Sequence, residues 1–352
     1  MPRLPGVSVI VPAWNDSGTL ESTFQALAGA LASYHGEVQL LVVAGGPDNS
    51  YARARELLAL LEAPDLSAEV LLQAPHGKNA ALNEGLRAAR HGVLVFLDAD
   101  TAVDPDWLTA LVLPIARGQA DATTGMFRPY TRTPVSAIFE VDQWAAQRLT
   151  RRVTLFGGGT IALTRAALDR LGGELPEDVP VGVDWDLSQR LEKGGAVIAF
   201  CEGARVRTEI AQTWPEYWRG EVRWRRAYLW AQTRHLRLDR RPARLLGLLY
   251  VPLMQATVLV GWAILPGMAG LLGYPAHLGA LGWGVLVGWT LGRHACTCLR
   301  VYASTRDVRW LRLIPAYLYG FTVSAAAAWA AILSFGQASV HFKGQRLRRS
   351  PA

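Results

Sequence analysis

From Leu245 to Gly292 the chain runs through 48 residues without one Asp, Glu, Lys or Arg. As helix, at 1.5 Å per residue, that stretch would be ~72 Å long against a hydrocarbon core of ~30 Å. Two spans with a turn fit it best, and Pro266, Gly267, Gly270, Gly273 and Pro275 mark the turn. A third apolar segment runs from Leu313 to Phe335. Several Gly and Ala suit close helix packing, and Trp262, Trp283, Trp289 and Trp329 are of a type common near membrane interfaces. The predicted membrane region is therefore 245–338, with segments 245–265, 272–292 and 313–335, followed by a basic tail over 339–352.

Residues 1–212 differ in composition, alternating charged and apolar segments as a soluble α/β domain does. With 352 residues the chain holds one large domain and something else. The net charge of +7 comes mostly from arginines between Arg205 and Arg244 and in the tail, beside the apolar segments. Anionic lipid headgroups are the expected partner, and no nucleic-acid recognition module is visible. Cys201, Cys296 and Cys298 lack metal-ligand spacing and read as reduced structural thiols. Val7–Val11 is too short for a signal-peptide core and reads as the first strand, so the large domain is expected in the cytoplasm. The basic segments Arg237–Arg244, Arg293–Arg312 and Lys343–Arg349 each favour the cytoplasmic side, and three spans cannot put all three there.

The soluble part reads as strands alternating with helices. Val7–Val11 breaks at Pro12-Ala13-Trp14-Asn15-Asp16, and a helix follows from Ser17 or Thr19 toward Tyr34. Glu37–Val43 is a second strand, ending at Ala44-Gly45-Gly46-Pro47-Asp48-Asn49-Ser50. Val70–Gln73 is a third, after which Gly77-Lys78 opens a helix reaching Arg90. A fourth, apolar strand ends in Asp98-Ala99-Asp100. This alternation predicts a doubly wound, Rossmann-like, mostly parallel sheet whose ligands collect beyond the strands' carboxyl ends.

Two carboxylates side by side at such an edge repel unless a cation balances them, and hard oxygen ligands suit Mg²⁺ or Mn²⁺, which in turn clamps a diphosphate. A solvated turn or helix cap is the alternative for Asp98 and Asp100. Lys78 and the amides of its helix are a natural phosphate or nucleoside site, with a solvated surface lysine as the alternative. Phe156-Gly157-Gly158-Gly159-Thr160 is either an ordinary loop or a backbone approach to substrate that tolerates no side chain. Asp184 and Asp186 open a segment, Leu187–Leu191, that reads as helical, and a helix N-terminus favours negative charge. An N-cap with a first-turn acid is the alternative for the pair.

Residues 213–244 bridge to the apolar region. At 100° per residue Tyr217, Trp224 and Tyr228 share one face of a helix over Trp214–Trp230, with Arg219, Arg223 and Arg226 nearly opposite. Such a helix lies in the headgroup layer and delivers a lipid acceptor, or it is buried with a solvated arginine stripe.

Taken in order, Val9-Ile10-Val11-Pro12-Ala13-Trp14-Asn15-Asp16, Gly77-Lys78 with Ala81-Leu82-Asn83, Asp98-Ala99-Asp100, Gly157-Gly158-Gly159 with Arg165, Asp184-Trp185-Asp186-Leu187 with Arg190, and Arg223-Trp224 resemble the family 2 glycosyltransferases over about residues 5–230. The resemblance implies an inverting enzyme of the GT-A fold that takes a nucleotide-diphosphate sugar. It implies Asp100 as a metal ligand with Asp98 nearby, and Asp184 as catalytic base. Donor-binding residues by the same resemblance are Pro12, Trp14, Asn15, Asp16, Asp48, Lys78 and Asp98. Gly157, Gly158, Gly159, Asp186, Arg223 and Trp224 would serve acceptor and diphosphate. The chain departs from the family at three places. Ala44-Gly45-Gly46 stands where an acidic base-reading residue is usual, Val183 where glutamate precedes the base, and Gly220 where processive synthases carry glutamine.

The expectation is a multi-pass inner-membrane glycosyltransferase, of hexose by preference, that uses Mg²⁺ or Mn²⁺ and a lipid or lipid-linked acceptor. A processive polysaccharide synthase is the enzymatic alternative. A catalytically degenerate assembly or binding partner is the alternative of another class.

Overall fold

The computed structural model describes residues 3–63, 65–74, 77–148, 153, 155, 159–177, 179, 182–238, 271, 275–334, 339–342 and 345–348. In chain order the first elements are β1 (Val7–Trp14), α1 (Leu20–Ala32), β2 (Val38–Gly45), α2 (Ser50–Ala59), β3 (Leu66–Leu72), α3 (Lys78–Ala88) and β4 (Val93–Leu97). There follow β5 (Thr101–Val103), α4 (Trp107–Ala116), β6 (Ala122–Pro129), α5 (Ser136–Arg148), β7 (Thr160–Thr164), α6 (Arg165–Asp169), α7 (Val183–Lys193) and β8 (Ile198–Thr208). Beyond them lie α8 (Trp214–Leu238), α9 (Ala276–Thr305), α10 (Arg309–Arg312), α11 (Ile314–Leu333), β9 (Ser339–Phe342) and β10 (Gln345–Arg348).

The chain divides into two compact units. The first takes residues 1–130, 146–209 and 338–352, and the second 131–145 and 210–337.

The first unit is built on an eight-stranded sheet of order β3-β2-β1-β4-β7-β6-β8-β5. β1, β2, β3 and β4 run parallel, as their apolar sequences require: every residue of β2 and β4 is buried, the signature of a strand covered on both faces. β7 pairs antiparallel with both β4 and β6, and β8 returns parallel to β6. The sheet is thus mixed on one side of β4 and doubly wound on the other. Two boundaries shift from the sequence reading. β3 begins at Leu66, four residues before Val70, because at the sheet's edge it buries no residue fully and so lacks a clean apolar run. β1 and β2 extend three and two residues further than the apolar runs suggest, carried by ladder pairing from Pro12–Val43 to Trp14–Gly45.

Ile10, Phe96, Leu41, Leu82, Ile161 and Leu187 belong to one buried cluster beneath the sheet. Apolar burial at ~25 cal/mol per Å² makes such a cluster the main favourable term in folding this unit. It also fixes α3 and α7 against the sheet, so the first residues of each helix emerge at the strands' edge.

In the second unit, α11 buries Tyr317, Gly320, Phe321, Ser324, Ala328 and Ala331, a face at i, i+3, i+4, i+7 spacing. Its 20 residues, ~30 Å of helix, make it the one helix among the described residues long and apolar enough to cross a membrane. The expected span 313–335 falls on it. For 272–292 the outcome differs. α9 continues to Thr305 through Arg293 and Arg300 with no helix breaker until Arg306 adopts φ 58°, so it is longer and more charged than a simple span. The expected span 245–265 lies outside the described residues. Residues of the tail form the antiparallel pair β9–β10.

Candidate functional site

β4 delivers Asp98-Ala99-Asp100 to the carboxyl edge of the sheet, and local bonds hold this acidic turn from two sides. The Ala99 carbonyl accepts from the Thr19 and Thr23 hydroxyls of the first helical segment at 3.1 and 2.8 Å. The Asp98 amide donates to the Gly159 carbonyl at 3.4 Å. Thr19 and Thr23 escape sequence reading because a threonine on a helix carries no mark of the strand end it will meet.

Two other predicted residues, Lys78 and Gly159, meet at the Asp98 carboxylate. Lys78, first residue of α3, reaches it with its ammonium group in a partly exposed ion pair. Gly77 before it has φ 90°, a conformation open to glycine, which lets the chain turn directly into α3. From the other side a Cβ on Gly159 would lie 2.7 Å from Asp98 Oδ2. The glycine therefore makes room for the carboxylate itself. Gly157 and Gly158 lie outside the described residues. Gly159→Ala is expected to displace Asp98 and lower donor turnover by about 10²-fold, the scale of a 1 Å misplacement. Nucleotide-sugar hydrolysis measured beside thermal melting checks it; normal turnover would show that the close approach is dispensable.

Asp184 and Asp186 sit in the first turn of α7, behind Gly182 at φ 81°. Asp186 is buried and Asp184 half-buried, so Asp184 is the more accessible of the two. The approach to this turn is stitched to α3. Asn83 Nδ2 donates to the Leu175 carbonyl and its Oδ1 accepts from the Leu175 amide, both at 2.8 Å. Asn79 Nδ2 donates to the Pro176 carbonyl at 2.6 Å. The Leu155 amide donates to Ser188 Oγ at 2.7 Å, tying α7 to the start of the glycine loop. Arg165 and Arg190 donate to the Ala89 and Leu171 carbonyls, so both fasten turns.

The β1 and β2 loops interlock. Asp48 Oδ1 accepts from Ser50 Oγ at 2.7 Å, and Oδ2 accepts from the Ser17 amide at 2.9 Å. Partial burial pushes the Asp48 carboxyl up, but the bonds from Ser50 and Ser17 outweigh it and hold the group below the usual carboxylate range. Asp16 Oδ2 accepts from the Trp14 amide at 3.0 Å, and its own amide donates to Ser50 Oγ at 2.8 Å. Both carboxylates thus fasten loops. Asn15, at φ 56°, lies against Gly46, where a Cβ would meet Asn15 Oδ1 at 2.4 Å. Trp14 and Gln73 both flank Gly45, and Pro12 pairs with Val43 in the ladder.

Tyr130 is a residue the sequence reading did not single out. Burial raises its hydroxyl, bonds with Ser22 and the Ala102 backbone oppose the rise, and the negative charge of Asp100 adds a smaller upward push. Arg223 and Trp224 belong to the second unit. There the Trp224 ring is 48% exposed and lies 6.0 Å from Phe139, with Arg223 over it at 5.9 Å.

Among the described residues no group of three or more His, Cys, Asp or Glu side chains is gathered to cage a metal. A Mg²⁺ or Mn²⁺ ion that shares its coordination with substrate phosphates uses only one or two carboxylates. Asp98 and Asp100, hard oxygen donors at the sheet edge beside Lys78, fit that donor set.

Comparison with known proteins extends this picture. Over 240 residues the chain is 27% identical to a probable glycosyltransferase of Bacillus subtilis (strain 168), covering 64% of this chain and 56% of that protein. It is 25% identical over 235 residues to the poly-beta-1,6-N-acetyl-D-glucosamine synthase of Staphylococcus aureus (strain MSSA476), covering 63% and 54% respectively. The chain thus spans about half the length of the curated relatives it matches. A mannosyltransferase from Pyrobaculum calidifontis, solved in complex with GDP-Man and Mn²⁺, superimposes with a TM-score of 0.57 at 18% identity, over 95% of this chain and 88% of that one. That likeness shows a shared GT-A-like fold. A family model described as "Glycosyltransferase like family 2" matches residues 5–227, and with more than half of its length so matched the chain belongs to that family.

Proposed function

We propose that this chain transfers one sugar, a hexose, from a nucleotide-diphosphate donor to a lipid or lipid-linked acceptor with inversion at the anomeric carbon. The observation that carries the reading is the juxtaposition of Lys78, Asp98 and Gly159 at the sheet edge, two residues from Asp100. An ammonium group, a helix N-terminus and two hard oxygen donors together suit a diphosphate and its counter-ion. Pro12, Trp14, Asn15, Asp16 and Asp48 shape the nucleoside end, the two carboxylates by fixing the loops.

Asp100, with Asp98, would hold Mg²⁺ or Mn²⁺, which when bound neutralises charge on the departing diphosphate. Lys78 turns from Asp98 toward the diphosphate when donor arrives. Asp184 accepts the proton of the attacking hydroxyl, and Asp186 supports the turn that carries it. Gly157, Gly158 and Gly159 keep the approach free of side chains. Arg223 adds positive charge and Trp224 a stacking surface for acceptor and diphosphate.

The membrane supplies the acceptor. α11 is the candidate span, and arginines over 293–312 favour the cytoplasmic side for the first unit. On this reading the protein is anchored in the inner membrane through α11, with 213–244 as its interfacial segment.

A processive synthase is a second reading, favoured by the name of the Staphylococcus aureus relative and opposed by Gly220. Membranes carrying the full chain, incubated with labelled nucleotide sugars and Mn²⁺ and then extracted, separate the two. One donor should label lipid with a single sugar. Long labelled chains would establish the synthase, and no donor turnover with any sugar would leave a catalytically degenerate partner.

A further inference from the structure

The second unit contains buried polar groups that the proposed chemistry does not use. Glu221 and Arg225 lie one turn apart on α8 and bracket Arg223 and Trp224. Arg225 donates to Glu221 Oε2 from Nη2 at 3.0 Å and from Nε at 3.3 Å. Ser324 of α11 donates to the same Oε2 at 2.6 Å and accepts from Arg225, closing a triangle. Ser324 and Glu221 are 5% and 8% exposed, so this is a desolvated cluster and not a surface pair.

Two turns away along the same face of α11, Tyr317 donates to Asp142 of α5 at 2.7 Å. Asp142 follows Phe139 by three residues on α5, and Phe139 is the ring beside Trp224. Between the two tethers a Cβ on Gly320 would lie 2.6 Å from Ile138 Cδ1, so the Ile138 side chain of α5 packs directly on the backbone of α11. One face of the apolar helix therefore holds the helix that carries Trp224, through Ser324, and the helix that backs it, through Tyr317. Burial pushes the Asp142 carboxyl up to about 7, with Glu221 raising it and Tyr317 and Arg225 opposing.

We propose that Ser324, Glu221, Arg225, Tyr317 and Asp142 are positioning residues, two polar tethers by which α11 sets the orientation of Arg223 and Trp224 for the acceptor step. The inference rests on the sugar-transfer reading. It gives α11 a second role beside spanning, since this face packs on protein and is closed to lipid. Buried hydrogen bonds between helices fix rotation and register where apolar contacts alone permit sliding.

The test uses the full chain in membranes and two readouts, transfer to lipid and acceptor-independent hydrolysis of the donor. Ser324→Ala and Tyr317→Phe remove single hydroxyls of nearly conserved volume. Each is expected to lower transfer at least tenfold while hydrolysis stays within twofold of wild type, with the loss appearing in kcat and in acceptor KM. Ser324→Thr and Asp142→Asn keep the hydrogen-bonding atoms and should restore transfer to within threefold. Wild-type transfer in Ser324→Ala and Tyr317→Phe overturns the proposal. So does an equal loss of transfer and hydrolysis, which marks a merely structural role, or equal damage by Ser324→Ala and Ser324→Thr. Absence of donor turnover in the wild type is a separate outcome that removes the sugar-transfer reading itself.

Discussion

Asp184→Asn lowers sugar transfer by about 10² to 10⁴-fold, the usual contribution of a general base, while donor and metal affinity stay close to wild type. The amide keeps the shape of the side chain and cannot accept the hydroxyl proton. Because Asp184 is half-buried in the first turn of α7, its replacement leaves the core untouched. Asp186 is the control. At 2% exposure it lies inside the unit, and Asp186→Asn is expected to act through stability, lowering the melting temperature along with activity. Calorimetry for donor binding, product stereochemistry and thermal melting separate the two. Should Asp186→Asn abolish transfer without loss of stability while Asp184→Asn is near normal, the base is Asp186; a product that retains the donor's configuration removes the single displacement altogether.

Asp100→Asn abolishes most turnover even at saturating Mn²⁺, by at least about 10²-fold, because the several kcal/mol that a bound cation contributes to a departing diphosphate go with it. The neutral amide cannot balance the ion, and Asp98 alone leaves it a single carboxylate. The companion Lys78→Ala leaves Asp98 without its ammonium partner. It should weaken donor binding more than it lowers metal affinity, since the lysine serves the phosphates and the carboxylate serves the ion. Mn²⁺ titrated against donor hydrolysis measures both. An Asp100→Asn protein with near-normal rate would remove Asp100 as ligand.

Much of the candidate site was legible because its residues lie at positions that local rules also mark. Asp98 and Asp100 follow an apolar strand, Lys78 opens a helix after glycine, and Asp184 stands at a helix start. Asp48 and Asp16 looked equally suited to a ligand, and the fold also gives them Ser50, Ser17 and Trp14 as hydrogen-bond donors. A carboxylate in a loop has the same sequence appearance whether it faces substrate or backbone. The Asn79 and Asn83 bonds to residues about 90 positions later were equally out of reach, because side-chain partners at that separation are set by how helices settle on the sheet.

The helical unit marks the division most clearly. The sequence alone determined that an apolar helix, observed over Ile314–Leu333, lies within 313–335, since composition and length suffice for that, and that Trp214–Trp230 is helical and amphipathic. It could not determine which side of each helix meets which other. Ser324 is one hydroxyl in an apolar run, Glu221 and Arg225 are an ordinary i, i+4 pair, and Asp142 is one carboxylate of 29 acidic residues in the chain. Only their packing, which removes water and leaves each buried polar group to find a partner, turns them into two tethers on one face of α11.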